Sequence, residues 1–359
     1  MKICIVLRDI TERGGGERVC VNLANALSLK HQIKILSFYK SQDKPSYDLK
    51  PNICVEYLHN FGERSGGKIA YLFKKIFYRY FLTIKARKRF FEDDIIIAND
   101  RALGQFLKIK GKSYIRLWHL NFPKRKRNLA FFDSVVILSH KEEQKWRGIH
   151  KNIRVIPNFI PAISQNKIDY SQKVCLSVGR MDRGDQKGFL RLIDIFAKLK
   201  SQFEDWKLCI VGEGVLKEEV QNKITSYGLQ NRVVIKPFTQ EIEKEYLSAS
   251  FYIMGSHFEG FPLVLLESES YGLSSVTFDI YTGPSDIIED GKTGFLIRDG
   301  DLDDFASKME ILMQDEHKRR EMGEEAKKRI QTHFSQEIIL EKWEELFTQL
   351  QTHNPQSPQ

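Results

Sequence analysis

The chain has 359 residues, which is too long for one ordinary core and fits two domains of roughly 150 to 200 residues each. Its composition, 42% apolar and 29% charged, is globular, and no apolar run approaches the roughly 20 residues that span a bilayer. The five cysteines are scattered without C-x-x-C spacing, so we expect buried thiols in a reducing cytosol rather than disulfides or metal ligands.

Charge is distributed unevenly along the chain. Residues 1–160 contain 32 Lys and Arg against 14 Asp and Glu, whereas the remainder contains 24 against 33. A basic surplus confined to one half favours an anionic partner for that half. The first half is therefore expected to face nucleic acid or a membrane surface, and the second half is not.

The first half begins with the pattern strand, glycine loop, helix. A strand over 2–7 precedes Gly14, Gly15 and Gly16, and an amphipathic helical pattern follows. This geometry lets backbone N–H groups approach a phosphate closely, although a purely structural loop is equally compatible with it. Because the spacing is not G-x-G-x-x-G, a nicotinamide dehydrogenase is disfavoured. A further strand over 31–38 completes a βαβ unit.

Residues 68–91 form a basic segment rich in aromatic residues. The stretch KIAYLFKKIFYRYFLTIKARKRFF has no acidic residue, and its apolar positions recur at helical spacing. A basic amphipathic helix with many aromatics favours binding at an anionic membrane surface. The alternative is a helix that buries its aromatic stripe in the domain core. Nucleic acid is disfavoured as the partner because no recognisable nucleic-acid-binding module accompanies the charge.

The rest of the first half continues with strands over 94–98, 112–118, 133–138 and 152–156. His119 directly follows the second of these strands, and a basic cluster, 124–127, lies close by. Ligands of open α/β sheets bind at the carboxyl ends of the strands, so His119 is a candidate site residue. The segment 160–171 is expected to link two domains.

The second half alternates strands and helices regularly. Strands are expected over 173–178, 206–211, 232–236, 251–254, 275–278 and 293–297, with helices between them and a helical C-terminal region. This alternation predicts a parallel, doubly wound sheet. We expect domains over 1–160 and 161–335, followed by a C-terminal helix and polar tail over 336–359 that returns to the first domain.

Two carboxylates, Glu259 and Glu267, are separated by eight positions around a predicted strand–loop–helix junction. Pro262 marks the start of the helix, where a missing N–H costs least. Glu259 could simply complement the helix dipole. Glu267 lies within an apolar run, and a buried carboxylate requires partners. Both side chains are placed near the start of the helix, where unpaired N–H groups face an anion or a hydroxyl-rich ligand.

Taken together, the GGGERV loop, the SVGRMDRGDQKG segment and the EGFPLVLLE pair resemble the retaining glycosyltransferases of family 4, also called group 1 glycosyltransferases. The resemblance covers nearly the whole chain and is most like bacterial lipopolysaccharide and capsule hexosyltransferases. It implies the GT-B fold, in which two doubly wound Rossmann-like α/β domains face each other across a cleft. The first would bind the acceptor and the second the nucleotide sugar.

The resemblance also implies roles for the charged residues of the second half. Arg180 and Lys187 match the basic pair that neutralises the donor diphosphate, which is where charge develops on the leaving group. Glu259 matches the carboxylate that hydrogen-bonds the donor sugar, and Glu267 matches the one that binds the ribose. These four positions carry the most specific part of the match.

Further site residues follow from the same resemblance. Gly15 and Gly16 match the loop that closes on the diphosphate, and His119 matches a histidine that often faces the donor sugar. Two further groups of donor-binding positions are implied. Phe261, Pro262 and Leu263 lie at the start of the helix, and Gly212 and Glu213 would line the part of the site that binds the nucleotide base.

The implied activity is metal-independent transfer of a hexose, UDP-linked, to a hydroxyl of a lipid-linked or surface glycan, with retained configuration. No cofactor and no metal site are expected. The partners would be a nucleotide sugar, a glycan or glycolipid acceptor and an anionic membrane contacted by 68–91, with no nucleic acid. The expected location is cytoplasmic and peripheral at the inner membrane face. The alternatives are a nucleotide-sugar epimerase and a non-catalytic membrane-associated scaffold.

Overall fold

The computed structural model describes residues 1–63, 79–99, 108–123 and 128–353. The chain forms two compact units, of which unit 1 comprises Met1–Pro161 and Ile339–Gln359, and unit 2 comprises Ala162–Ile338. Some segments considered above lie outside the described residues. The basic segment 68–91 is described only from residue 79, the tail only to residue 353, and the cluster 124–127 not at all.

Unit 1 is built on a seven-stranded parallel sheet. Residues 3–7 of its first strand have no exposed surface, which is typical of a parallel sheet covered on both faces. The strands are β1 (Lys2–Asp9), β2 (Gln32–Tyr39), β3 (Cys54–Tyr57), β4 (Ile95–Asn99), β5 (Ser113–Leu117), β6 (Ser134–Ile137) and β7 (Ile153–Val155). Their order is β3-β2-β1-β4-β5-β6-β7, so the chain changes direction across the sheet between β1 and β4.

The described helices of unit 1 lie between these strands. They are α1 (Gly15–Leu27), α2 (Arg79–Arg87) and α3 (Glu143–Arg147), the last preceded by a 3-10 turn, His140–Glu142. Strand β3 and the short helix α3 were not expected. Strand β3 has only four residues and a partly exposed pattern, which gives a weak periodic signal.

Unit 2 is built on a six-stranded parallel sheet. Its strands are β8 (Val174–Val178), β9 (Lys207–Val211), β10 (Val233–Lys236), β11 (Phe251–Met254), β12 (Ser274–Asp279) and β13 (Gly294–Arg298). Their order, β10-β9-β8-β11-β12-β13, repeats the arrangement of unit 1, with the change of direction between β8 and β11. The expectation of two doubly wound α/β domains is confirmed.

The helices of unit 2 follow the strands in alternation. They are α4 (Phe189–Lys198), α5 (Lys217–Ser226), α6 (Ile242–Leu247), α7 (Leu263–Tyr271), α8 (Pro284–Ile287), α9 (Leu302–Gln314) and α10 (Glu316–His333). Helix α4 buries Phe189, Leu192, Ile193 and Phe196 in the core of the unit. Burial of such a side chain contributes about 1.5–3 kcal/mol each, so this face fixes the position of the loop that precedes α4.

The last helix, α11 (Gln336–His353), spans the boundary at which the chain passes from unit 2 to unit 1. Within unit 1, Glu344 on this helix accepts a hydrogen bond from His31 at 2.8 Å, and Gln349 bonds Arg154. None of the helices in the described part of the chain is both long and apolar enough to cross a membrane.

Candidate active site

The change of direction between β8 and β11 creates the position at which ligands bind in open α/β sheets. The loop after β8 carries Arg180 and Lys187, and the loop after β11 carries Glu259. Strands β8 and β11 are neighbours in the sheet although 72 positions separate Lys187 from Glu259. The sheet order therefore brings together a cation and a carboxylate from distant parts of the chain.

Lys187, Ser256 and Glu259 form a compact polar cluster. Lys187 Nζ donates to Glu259 Oε1 at 2.6 Å, and Ser256 Oγ donates to the same oxygen at 2.7 Å. The side chains of Lys187 and Glu259 are 20% and 10% exposed. A carboxylate at this depth requires charge-assisted partners, and these two supply them. The cluster presents a cation beside a fixed carboxylate at the edge of the sheet.

The backbone before α4 is shaped to place Lys187. Asp185 accepts hydrogen bonds from the N–H groups of Phe189 and Leu190 at 2.8 and 3.0 Å, which satisfies the start of the helix. Burial raises the pKa of Asp185, and these N–H donors oppose the rise. Gly188 adopts φ +67°, where a Cβ would lie 1.7 Å from the carbonyl oxygen of Gly255. Only glycine allows the two loops to approach this closely.

Arg180 is placed differently from Lys187. Its guanidinium forms an ion pair with Asp182 at 3.1 Å, and its side chain is 65% exposed. An exposed ion pair is weak, about 0–1 kcal/mol, so the bond to Asp182 contributes little to holding the guanidinium in place. Arg180 thus lies on the same loop as Lys187 but outside the cluster with Glu259.

Glu267 lies in the second turn of α7 and is 9% exposed. The hydroxyl of Tyr246 donates to its Oε2 at 3.1 Å. Tyr246 is fully buried and stacks on Tyr271 with ring centroids 5.0 Å apart. A buried phenol held by stacking provides a fixed donor for the carboxylate.

The start of α7 is enclosed by two other loops. Pro262 is the residue that caps the helix, and Leu263 is its first residue. Phe261 is buried and packs against Phe334 at 5.7 Å. Thr282 donates to the carbonyl of Glu259 at 2.8 Å, and a Cβ on Gly283 would lie 2.7 Å from Pro262 Cδ. These contacts hold the helix start in one position.

Gly212 and Glu213 follow β9 and contact the loop after β8. A Cβ on Gly212 would lie 1.8 Å from the carbonyl oxygen of Gly179. The carbonyl of Glu213 accepts a hydrogen bond from the N–H of Met181 at 2.8 Å. These two residues therefore shape the backbone on which Arg180 lies, and the side chain of Glu213 is exposed.

In unit 1 the predicted residues follow two strands, β1 for the glycines and β5 for His119. Gly15 and Gly16 open helix α1 directly after β1, and a Cβ on Gly15 would meet no atom within 4 Å. Tyr47 donates to the carbonyl of Gly14 at 3.1 Å. His119, half-buried after β5, hydrogen-bonds the side chain of Asn99 at the end of β4.

Several residues of the site were not identified from the sequence: Asp185, Arg191, Tyr246, Ser256 and Thr282. Ser256 stands three positions before Glu259, and Asp185 four before the start of α4, so both lie close in the sequence to the groups that they bond. Arg191, Tyr246 and Thr282 left no local signal because their partners are distant in the sequence.

A metal site is not evident in the described ranges: no group of three or more His, Cys, Asp or Glu side chains there could hold an ion. Asp182 and Asp185 have the partners described above, Arg180 and the start of α4. The expectations that the reaction needs neither metal nor cofactor stay predictions.

Residues 160–329 match the model of the family described as Glycosyl transferases group 1. This range contains the loops after β8 and β11 and therefore the whole cluster of Lys187, Ser256 and Glu259.

Two relatives align with 98% of this chain. One is an exopolysaccharide phosphotransferase of Streptomyces coelicolor, 27% identical, of which the chain spans only 41%. The other is the GalNAc-alpha-(1->4)-GalNAc-alpha-(1->3)-diNAcBac-PP-undecaprenol alpha-1,4-N-acetyl-D-galactosaminyltransferase of Campylobacter jejuni. It is 26% identical, and 99% of its length is covered.

A solved structure supports the fold. A mutant of TarM from S. aureus, crystallised with fondaparinux, alpha-GlcNAc-glycerol and UDP, has a TM-score of 0.78 to this chain at 17% identity. The alignment covers 96% of this chain and 99% of that one. The likeness shows that the fold is GT-B.

Proposed function

We propose, from the premise that this chain belongs to the group 1 glycosyltransferases, that it transfers a hexose from a UDP-linked donor to a glycan hydroxyl with retained configuration. The acceptor is a lipid-linked or surface glycan. The observation that carries the proposal is the cluster in which Lys187 and Ser256 both donate to Glu259 at the switch between β8 and β11.

Lys187 of the cluster and Arg180 on the same loop act on the leaving group. When the bond between the anomeric carbon and the phosphate oxygen breaks, negative charge grows on the departing diphosphate. Lys187 lies at the site edge, and Arg180 is exposed on the same loop. The N–H groups at the start of α7 add a third source of positive potential. With this charge supplied by the chain, the proposed transfer needs no metal.

The carboxylates act on the two halves of the donor. Glu259, fixed by Lys187 and Ser256, has a second oxygen for the hydroxyls of the hexose. Glu267, held by Tyr246, accepts from the ribose hydroxyls. Both act as hydrogen-bond acceptors, which orient the donor and contribute through positioning rather than proton transfer.

Retention follows if the acceptor attacks the same face from which the diphosphate departs. The acceptor hydroxyl forms the new bond to the anomeric carbon, and its proton passes to the departing phosphate oxygen. The bond to the leaving group breaks first and gives an oxocarbenium-like state. Glu259 is engaged by two donors on one oxygen, so we assign it to orientation and not to nucleophilic attack.

The donor and acceptor classes are supported by the relatives. TarM was crystallised with UDP, which supports a UDP-linked donor for this chain. The Campylobacter jejuni relative acts on an undecaprenol-diphosphate-linked glycan, which supports a lipid-linked acceptor. Such an acceptor is membrane-anchored, so the enzyme must work at a membrane surface.

A peripheral membrane contact is supported by the described end of the basic segment. Phe81, Ile84 and Phe91 are 47%, 44% and 57% exposed. Lys85 lies over the Phe81 ring at 5.3 Å, and Arg87 over the Phe91 ring at 5.8 Å. Exposed apolar side chains interleaved with cations match an anionic bilayer surface, where each cation contributes about 1 kcal/mol.

The donor site is tested by thermal shift with UDP, GDP and ADP. A ligand present at 100 times its Kd stabilises the native state by about 2.7 kcal/mol. UDP is expected to stabilise more than the others. A panel of UDP-hexoses with undecaprenol-diphosphate-linked acceptors then tests transfer, and NMR of the anomeric proton reports the configuration. Free sugar interconversion without acceptor, or no nucleotide binding, contradicts the proposal.

The membrane contact is tested by cosedimentation with vesicles. Vesicles containing anionic phosphatidylglycerol should retain the protein, and those of phosphatidylcholine alone should not. Exchange of Phe81 and Phe91 for serine should weaken retention, whereas serine at Phe238 and Val215, exposed apolar residues of unit 2, should not. Equal binding by both double variants contradicts the assignment.

A further inference from the structure

The side chain of Arg191 reaches from the helix layer of unit 2 to loops at the carboxyl ends of several strands. It lies on α4, and its side chain is 10% exposed. Its Nε donates to the carbonyl of Gly255 and its Nη2 to the carbonyl of Ser256. Its Nη1 forms an ion pair with Asp299 Oδ1 at 2.7 Å. All three guanidinium nitrogens are therefore engaged.

These contacts connect segments that belong to four consecutive strands of the sheet, β8, β11, β12 and β13. Arg191 belongs to the helix after β8, and Gly255 and Ser256 open the loop after β11. The guanidinium also lies over the ring of Phe278 on β12 at 3.9 Å from the centroid. Asp299 directly follows β13. One side chain thus bridges from the helix after β8 to the end of β13.

The loop that Arg191 holds is the one that fixes Glu259. The Ser256 carbonyl accepts from Arg191, and the Ser256 hydroxyl donates to Glu259 Oε1 at 2.7 Å. The orientation of one peptide therefore determines where the hydroxyl donor points. The backbones of Gly188 and Gly255 lie so close together that neither position has room for a side chain. A Cβ on Gly255 would lie 2.6 Å from the carbonyl oxygen of Gly188.

We infer that Arg191 is a positioning residue for hexose transfer, which holds the Ser256 peptide and through it the Glu259 carboxylate in the geometry that orients the donor sugar. The role in transfer rests on the proposed function. Arginine is required because its planar group directs N–H donors to two carbonyls and a carboxylate at once. A lysine at this position could satisfy only part of the set.

The chain provides a matched control in Arg232. Its guanidinium also donates to three acceptors, the carbonyls of Trp206, Lys200 and Phe203. It lies over a phenylalanine ring as well, that of Phe196 at 5.0 Å. Arg232 immediately precedes β10 and its partners precede β9, so it lies at the amino ends of the strands, away from the site.

The experiment compares Arg191→Met, Arg191→Lys and Arg232→Met in the full chain. Both methionine variants should lose thermal stability. Only Arg191→Met should lower kcat, by about 100-fold, because displacement of a positioning group by about 1 Å costs this much. Its KM for the donor should change by less than threefold. The kcat of Arg191→Lys should lie between those of the wild type and Arg191→Met. Arg191→Lys serves as the test if Arg191→Met does not fold. A kcat for the Arg191 variants within threefold of that of Arg232→Met overturns the inference.

Hydrogen exchange separates this inference from the proposed function. Amides of residues 255–260 should exchange at least tenfold faster in Arg191→Met than in the wild type and should be unchanged in Arg232→Met. If the wild type transfers no hexose, the proposed function fails, and the exchange rates still decide whether Arg191 holds this loop. Unchanged exchange at 255–260 in the Arg191 variants overturns the positioning role whatever the activity.

Discussion

The ammonium of Lys187 lies 2.6 Å from Oε1 of Glu259, and the two residues come from loops after neighbouring strands. Both side chains are shielded from solvent. The order of the sheet therefore places a cation and a carboxylate side by side at the carboxyl ends of β8 and β11.

Exchange of Lys187 for alanine should lower kcat by about 10²–10³-fold, which is the usual effect of losing one charge-stabilising donor. It should also destabilise the fold by about 1–3 kcal/mol, because the Glu259 carboxylate loses a charged partner. The double variant with Glu259→Gln should regain part of that stability. Steady-state kinetics and urea unfolding measure the two effects.

The matched control for this pair is Lys223→Ala. Lys223 bonds Asp194 at the same distance, 2.6 Å, in a partly shielded pair, but this pair joins helices α5 and α4. The Lys223→Ala variant should be less stable than the wild type and should have the same kcat. Near-wild-type turnover of Lys187→Ala would remove this residue from the chemistry.

Removal of the Tyr246 hydroxyl should weaken nucleotide binding. Tyr246→Phe deletes the donor to Glu267 Oε2 while keeping the stacked ring. The loss of one hydrogen bond to a charged group, about 1.5 kcal/mol, corresponds to about a tenfold rise in the Kd for UDP. Calorimetric titration measures it. Tyr170→Phe, which removes a buried hydroxyl bonded to Gly272, should bind UDP as the wild type does. Equal affinities in both variants would contradict the role of Tyr246.

Glu269 should make stability fall as pH rises. The side chain is fully buried in α7, and neither carboxylate oxygen has a hydrogen-bond partner among the described residues. Burial raises its pKa to about 8 from 4.5, opposed by the charge of Arg329. The native state therefore holds a proton that the unfolded chain has released between these values. Stability is fully present below about pH 4.5 and declines through pH 8, by on the order of 3 kcal/mol between pH 5.5 and 8.

Urea unfolding across that range tests the Glu269 prediction. Glu269→Gln keeps the neutral shape and should abolish most of the decline. Glu321→Gln, at an exposed position on α10, should leave the pH dependence unchanged. Parallel pH profiles for the wild type and Glu269→Gln would show that this carboxyl does not titrate as expected.

The close approach of the two loops predicts unequal effects of alanine at two glycines. Gly188→Ala should destabilise by more than 3 kcal/mol, since its Cβ would overlap the carbonyl of Gly255. Gly184 also has positive φ, +86°, but a Cβ there meets no atom within 4 Å. Gly184→Ala should cost only the left-handed conformation, about 1–2 kcal/mol. Chemical unfolding measures both, and equal losses would contradict the packing of Gly188 against Gly255.

Local sequence patterns predicted most of the strands and helices. The apolar runs that become β8 and β11 and the proline before α7 were visible in the sequence within one or two positions of the observed ends. These signals depend on residues that are near neighbours in the chain. The short strand β3 was not predicted because four partly exposed residues show no clear alternation of apolar and polar positions.

The candidate site was predicted in part. Lys187 and Glu259 were both identified, since each stands in a recognisable segment. The hydrogen bonds that fix them could not be identified, because Arg191 is 64 positions from Gly255 and Tyr246 is 21 from Glu267. Such partners depend on which strands become neighbours, and no local pattern encodes that.

The sequence by itself determined the alternation of strands and helices, the eight-residue separation of Glu259 and Glu267, and the glycines that permit tight backbone geometry. Only the tertiary structure decided that Lys187 bonds Glu259, that Arg180 instead pairs with Asp182, and that Arg191 joins the ends of several strands. The physical reason is that strand order in a parallel sheet is set by how helices pack on its faces. Contacts between the ends of strands that are distant in the sequence depend on that order.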